Sequence, residues 1–344
     1  MKKILILIGC LAGLCSCSSS SQGQYLSVTP YSVAPVGESN YIGVESYHEL
    51  VTALLFLVNE ERESGKIRMV QYTREGAKDD LNLAVVEVMR ETALGSFSVG
   101  DMTWELNSIV GNLEADVVVE YKRSKEELDA VFPVSGFSTS VAALSTALER
   151  GERGLVLHRS YSTTDRSQIA RIIASAYESS ARYLVELPEI QTTFYPNEGA
   201  WKIVEFQLGY SQSEEDHATR QNLLDVQIKS LAGKIWVDPS DIVENMCAMM
   251  MEGVTISDEG DTPWDILVKK VGTPRGVAYS LLALSQEMGL SATVVEGSFW
   301  EVPHTWNSIE LEDGSTVYVD LSAASENGVV YYSRAEMEQL GYGW

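Results

Sequence analysis

The sequence predicts an α+β protein, with two tandem αβαββ units followed by a third α+β domain of a different pattern. Three observations carry this reading. Segments with apolar residues at helical spacing alternate with short segments in which apolar and polar residues alternate. The chain resembles itself at a single ungapped shift of about 89 residues. The pattern then changes near Asn222. The shift matches Ala53 with Ala142, Leu55 with Leu144, Gly65 with Gly154, and Ile67 with Val156. It also matches Tyr72 with Tyr161, Leu83 with Ile172, Tyr121 with Tyr210, Ser124 with Ser213, Glu126 with Glu215, and Glu127 with Asp216.

Taken from the start, Met1-Lys2-Lys3 precedes an apolar run from Ile4 to Leu14, which is too short to span a bilayer as a helix. Leu14-Cys15-Ser16-Cys17 follows and is similar to a bacterial lipobox, so residues 1–16 are expected to be a lipoprotein signal peptide and Cys17 the lipid-bearing residue. Leu7-Ile8-Gly9-Cys10 fits the same pattern but leaves almost no apolar run before it. Residues 17–40, rich in Ser, Gly, Pro and Tyr, read as a solvated tether. The expected location is therefore outside the cytoplasm, with the chain held to the cell membrane or outer membrane by its N-terminal lipid.

The first unit is expected over residues 41–132. Leu50, Leu54, Leu57 and Val58 place a helix over Tyr47 to Glu63, stopped by Gly65. Lys66 to Tyr72 reads as a strand. Asp79 to Leu94 reads as a second helix, capped by Asp79 or Asp80. Thr103 to Val110 and Asp116 to Lys122 form a hairpin across Gly111-Asn112. The second unit, residues 133–222, repeats the order. It runs Ser138 to Arg150, Gly154 to Tyr161, Asp165 to Leu184, Thr192 to Tyr195 and Trp201 to Tyr210. His48, His158 and His217 stand alone and form no catalytic or ligand cluster. These units read as a platform for the last domain, or as partner-binding elements in their own right.

The third domain is expected over residues 223–344, starting with helices Leu223 to Leu231 and Asp238 to Met251, the second with Pro239 near its start. The acidic loop Ser257 to Asp261 lacks the spacing of an EF-hand. Arg275 to Met288 reads as an apolar helix closed by Gly289. Ala292 to Glu296, Trp306 to Leu311 and Thr316 to Leu321 read as strands, with Asp313-Gly314 as a turn.

Composition bounds the function. The chain has 344 residues, of which 45% are hydrophobic, so it can bury substantial cores. A formal net charge of -24, with no basic patch, argues against nucleic acid and anionic lipid surfaces as partners. Of the four cysteines, Cys10 and Cys15 leave with the signal and Cys17 carries lipid, so Cys247 is left alone. No disulfide framework is expected, and no Cys/His cluster has zinc-ligand spacing. No cofactor is expected. Cys247 lies in Met246-Cys247-Ala248-Met249-Met250-Met251, a run that reads as core filler.

The stretch from Gly272 to Asp320 carries the chemistry. It reads Gly272-Thr273-Pro274-Arg275-Gly276-Val277-Ala278-Tyr279, then Val294-Val295-Glu296-Gly297, His304-Thr305-Trp306-Asn307 and Val317-Tyr318-Val319-Asp320. It resembles the core of the transglutaminase-like superfamily, cysteine proteases and acyltransferases of papain-like fold. In that family a cysteine opens a buried helix, and strands bearing a histidine and an aspartate follow. The resemblance covers about the last third of the chain. It puts the histidine at His304, the aspartate at Asp320 and the nucleophile at Pro274.

A thiol attacks a carbonyl as thiolate, favoured by a helix start and by an imidazole that takes the proton. Pro274 has no ionisable atom, although it suits a first helical turn. The resemblance with this departure implies a catalytically inactive domain. His304 and Asp320 would be a relic pair, and the domain would bind or scaffold a peptide or protein. The alternative is an active thiol amidase, protease or acyltransferase in which Cys247 replaces the lost nucleophile beside His304 and Asp320.

Overall fold

The computed structural model describes residues 41–109, 111–159, 166–199, 202–235, 242–322 and 331–344. The expected signal peptide, Cys17 and the tether lie outside these residues. So do Val110, Asp165, Trp201, Asp238 and Pro239, which the sequence assigns to helices and strands.

The first sheet is built from β1 (Ile42–Val44), β2 (Ser64–Met69), β3 (Val99–Ile109) and β4 (Asn112–Tyr121), in the order β1-β2-β4-β3. β1 runs parallel to β2, and the other pairings are antiparallel. Helix α1 (Tyr47–Asn59) joins β1 to β2, while α2 (Arg74–Glu91) and α3 (Ala93–Ser98) join β2 to β3. After α4 (Lys125–Asp129), the second sheet uses β5 (Phe132–Val134), β6 (Gly154–Arg159), β7 (Glu189–Tyr195) and β8 (Lys202–Gly209). Its order is β5-β6-β8-β7, with β5 parallel to β6 and the rest antiparallel. Its helices are α5 (Phe137–Glu149) and α6 (Ser167–Ser179).

Several expectations are corrected. Each unit opens with a short parallel strand, so its order is βαβαββ and not αβαββ, with α3 as an extra helix in the first. Three residues are too few for alternation to announce β1 or β5. α1 ends at Asn59, and the left-handed residue that follows is Glu61, at φ 51°. Gly65 lies inside β2, where a Cβ would overlap the side chain of Leu57. α2 begins five residues before Asp79, because Thr73 caps it through a hydrogen bond from Gly76 N. The boundary expected between residues 132 and 133 falls within β5.

The third part comprises α7 (Glu214–Ala232), α8 (Ile242–Met251), β9 (Thr255–Ile256), a π-helical turn Asp265–Lys269 and β10 (Val271–Gly272). It continues with α9 (Pro274–Glu287), β11 (Ser291–Phe299), β12 (Val302–Glu310), β13 (Thr316–Val319), α10 (Arg334–Gln339) and β14 (Tyr342–Gly343). The strand order β13-β12-β11-β14 is antiparallel throughout. α7 is one unbroken helix across residues 222–223, the expected domain boundary, because Ser213 caps it and Leu224, Ile228 and Leu231 bury one face.

Packing divides the chain differently from the sequence. The first unit has its own core, with Leu50, Leu54, Ile67, Leu81 and Val117 fully or almost fully buried. The second unit and the last domain share a single core, which runs from Val134 through Leu224 and Leu281 to Leu321. Burying each such aliphatic side chain stabilises the fold by about 1.5–3 kcal/mol. Arg123 ties the first unit to the second, pairing with Glu205 at 2.8 Å and lying over the Phe97 ring.

Candidate functional site

α9 is the central helix of the last domain, and Gly276 to Ser285 are all buried. Its start is closed by its own chain. Thr273 accepts from Gly276 N at 3.2 Å and donates to Asp261 Oδ1. Thr273 N donates to the Gly260 carbonyl, and that carbonyl sits so close to Gly276 that a Cβ there would overlap it. Pro274 occupies the first helical position, as its fixed φ and missing N–H allow. The helix start therefore presents a proline and a local cap.

β12 has two faces. Asn307 donates to the Ala278 carbonyl at 3.0 Å, and Val294, Ile309 and Val319 join the core of α9. By alternation, Thr305, Asn307 and Ile309 line the helix side. His304 and Trp306 line the other side, where Trp306 packs with Met337 of α10 and Tyr342 of β14. Gly297 lies opposite His304, and a Cβ there would overlap the Gly343 carbonyl oxygen.

On this second face the structure brings His304 and Asp320 together. His304 Nε2 and Asp320 Oδ2 are 2.6 Å apart, with the carboxylate accepting from the ring N–H. Tyr342 donates its hydroxyl to the same oxygen at 2.7 Å. Ser322 donates its backbone N–H and hydroxyl to Oδ1, at 3.0 and 2.6 Å. Burial alone would raise the Asp320 carboxyl. The hydrogen bonds from His304, Ser322 and Tyr342 outweigh it and hold the group below the usual carboxylate range. Burial and the bond to Asp320 push the Tyr342 phenol up, so it stays a donor. The imidazole side chain is 14% exposed. Phe299, Tyr342 and Trp306 surround it, with ring centroids 5.7, 6.1 and 6.4 Å away. Among the described residues, Nδ1 has no hydrogen-bond partner.

Cys247 is elsewhere. Its side chain is fully buried in the core shared with Met246 and Met250. Burial, with Glu244 nearby, pushes the thiol up to about 12. The described ring hydrogen bonds of His304 go to Asp320 and Ser322, and none goes to sulfur. Among the described residues, no group of three or more His, Cys, Asp and Glu side chains is placed to hold a metal.

No family model matches the chain, and no curated protein matches it. Solved structures give distant similarities. One, described as a TGase, aligns with a TM-score of 0.30 and 12% identity over 66% of this chain and 67% of that one. A candidate cysteine protease from Cytophaga hutchinsonii aligns with a TM-score of 0.27 and 13% identity, over 42% of this chain and 65% of its own. A candidate protease from Parabacteroides distasonis aligns with a TM-score of 0.24 and 10% identity, over 67% and 37%.

Sequence reasoning singled out His304 and Asp320 but missed Tyr342 and Ser322. Ser322 lies two residues past Asp320, where a hydroxyl turning back on a preceding carboxylate is a common local motif. Tyr342 sits in Leu340-Gly341-Tyr342-Gly343-Trp344, and nothing in that run marks its partner. The sequence also gave no sign that a two-residue turn, Trp300 and Glu301 at φ 48° and 68°, joins β11 to β12. That turn leaves Trp300 69% exposed beside Phe299.

Proposed function

We propose that the last domain is a transglutaminase-like domain without catalytic activity, and that the face around His304 binds peptide or protein. The observation that carries this reading is the separation of thiol from imidazole. His304 is oriented by Asp320 through Nε2, while the chain's one cysteine outside the expected signal and lipid site is buried in a Met-rich core. Pro274 at the start of α9 supplies no nucleophile.

With Nε2–H given to Asp320, a neutral His304 ring offers Nδ1 as an acceptor. A backbone amide N–H is the commonest donor that a polypeptide brings. Val302 and Trp300, 64% and 69% exposed, supply adjacent apolar surface for its side chains. The first two units, which share strand order and sense, are in this proposal a tandem duplication serving as a platform. Cys17 would anchor the whole to a membrane outside the cytoplasm.

The test uses the full chain and a pool of random-sequence peptides, with bound peptides recovered and weighed by mass spectrometry. Peptides retained at unchanged mass, and lost from His304→Ala, are the expected result. Cleaved, deamidated or cross-linked peptides would overturn the inactive assignment. Retention that is indifferent to His304→Ala would remove this face as the site.

A further inference from the structure

The second sheet holds a group of cations that the reading above does not use. Arg159 and Lys202 are directly opposite each other in the β6–β8 pairing, and they are only 3% and 7% exposed. Like charges facing one another across a ladder are destabilising. Burying an ammonium without a carboxylate adds to the cost.

Lys202 Nζ donates to the carbonyls of Pro196 and Asn197, at 3.2 and 2.8 Å. Arg159 donates to Gln168 Oε1. A third cation, Arg166, stands at the start of α6 and donates to Asn197 Oδ1 at 3.3 Å. Arg166 and Lys202 both lie over the Phe194 ring, at 5.2 and 5.6 Å from its centroid. Among the described residues, neither Arg166 nor Lys202 has a carboxylate partner. Burial, with Arg166 and Arg159 nearby, outweighs the opposing Glu198 carboxylate and holds the Lys202 ammonium below its usual value.

In a chain of net charge -24 this is an unusual local sign. Some cations at other places are paired with carboxylates, as in Lys66 with Asp116 and Arg182 with Glu287. Of the three cations, Arg166 lines a cavity of about 550 Å³, with Asn197 and Thr192 on its polar side and Ile169, Ile173 and Phe194 on its apolar side. A volume of this order suits a small organic ligand.

We propose that this cavity binds an organic carboxylate, with the Arg166 guanidinium taking the carboxylate, Lys202 adding positive potential from its place at the Phe194 ring, and Ile169, Ile173 and Phe194 receiving an aliphatic or aromatic body. A guanidinium presents a planar fork that matches a carboxylate. The apolar walls favour a ligand with a hydrocarbon part over a bare inorganic anion. The site belongs to the second sheet and does not depend on the assignment made for His304.

Calorimetric titration of the full chain at low salt tests it, with 4-phenylbutyrate as the probe. Uncharged 4-phenylbutanol and inorganic phosphate serve as comparisons. The expected result is saturable binding of phenylbutyrate, weakened at least tenfold by Arg166→Gln and unchanged by His304→Ala. Phenylbutanol should bind at least tenfold more weakly. Arg166 is exposed, so its variant should fold, which circular dichroism checks. Asn197→Ala, at a second exposed position, should also weaken binding. Equal affinity for phenylbutyrate and phenylbutanol would overturn the proposal. So would binding of phosphate without phenylbutyrate, indifference to Arg166→Gln, or no binding of any probe.

Discussion

His304 Nε2 lies 2.6 Å from Asp320 Oδ2, and the same oxygen accepts from Tyr342, so one carboxylate fixes a strand imidazole and the C-terminal strand together. The Asp320 side chain is 2% exposed and has donors on both carboxylate oxygens. Its role in the fold follows from the donors it would strand if removed.

Asp320→Ala should leave the His304 ring, the Tyr342 hydroxyl and the Ser322 groups without their acceptor. A loss of about 2–4 kcal/mol in urea unfolding is expected, since each stranded buried group costs about 1–3 kcal/mol. The folded pKa of Asp320 is depressed below its unfolded value of about 3.9. Its contribution is therefore present above about pH 4 and lost as pH falls through the folded value. Stability measured from pH 6 to 2 should fall less steeply in Asp320→Asn than in the parent chain. An equal slope in both would contradict this account.

Gly297→Ala should disturb the same face without touching a polar group. The new methyl meets the Gly343 carbonyl and the Trp306 ring, so β14 or Trp306 must move. A cost of about 1–3 kcal/mol is expected from overpacking. The near-UV dichroism of the buried Trp306 should change with it, and an unchanged spectrum at full stability would show that the close approach is not as described.

His217 is buried, its ring edge-on to Tyr210 at 4.6 Å, with both ring nitrogens lacking a hydrogen-bond partner among the described residues. Burial is the main cause holding its pKa below the ordinary value, with Arg153 and Arg220 adding to the effect and Glu186 opposing it. The unfolded chain thus takes up the proton first as pH falls. The stabilisation is present above about pH 6.5 and lost below it. His217→Leu should flatten stability between about pH 7 and 5, leaving the part due to His158, which burial also holds down. Chemical unfolding across that range reads the difference, and parallel curves would contradict it.

Much of the candidate site was legible because its residues sit in regular local patterns. Pro274 followed by a nearly all-apolar run announced α9, and His304-Thr305-Trp306-Asn307 with Asp313-Gly314 announced a hairpin of known alternation. What the sequence could not show was long-range closure. Tyr342 reaches Asp320 from 22 residues away through a two-residue strand that no periodicity marks. The expected division into units does not follow the helices and cores, for a similar reason. The residue pattern changes near Asn222, but α7 runs through it, and a shared core with Leu224 on one side and Leu281 on the other is a tertiary fact. Gly65 and Asp79 read as helix signals on local propensity. Packing of Leu57 over Gly65, and the Thr73 cap, decided otherwise.

The reactivity of Cys247 tests the central claim most directly. Its thiol is pushed up to about 12 and fully buried, so at pH 8 the thiolate is scarce and inaccessible. Iodoacetamide labelling of the native full chain, mapped to Cys247 by mass spectrometry, should proceed at least about a hundredfold more slowly than in urea. Labelling of native Cys247 as fast as an exposed thiol, with loss of an amide-cleaving or acyl-transfer activity as the label enters, would contradict the account and make Cys247 the nucleophile.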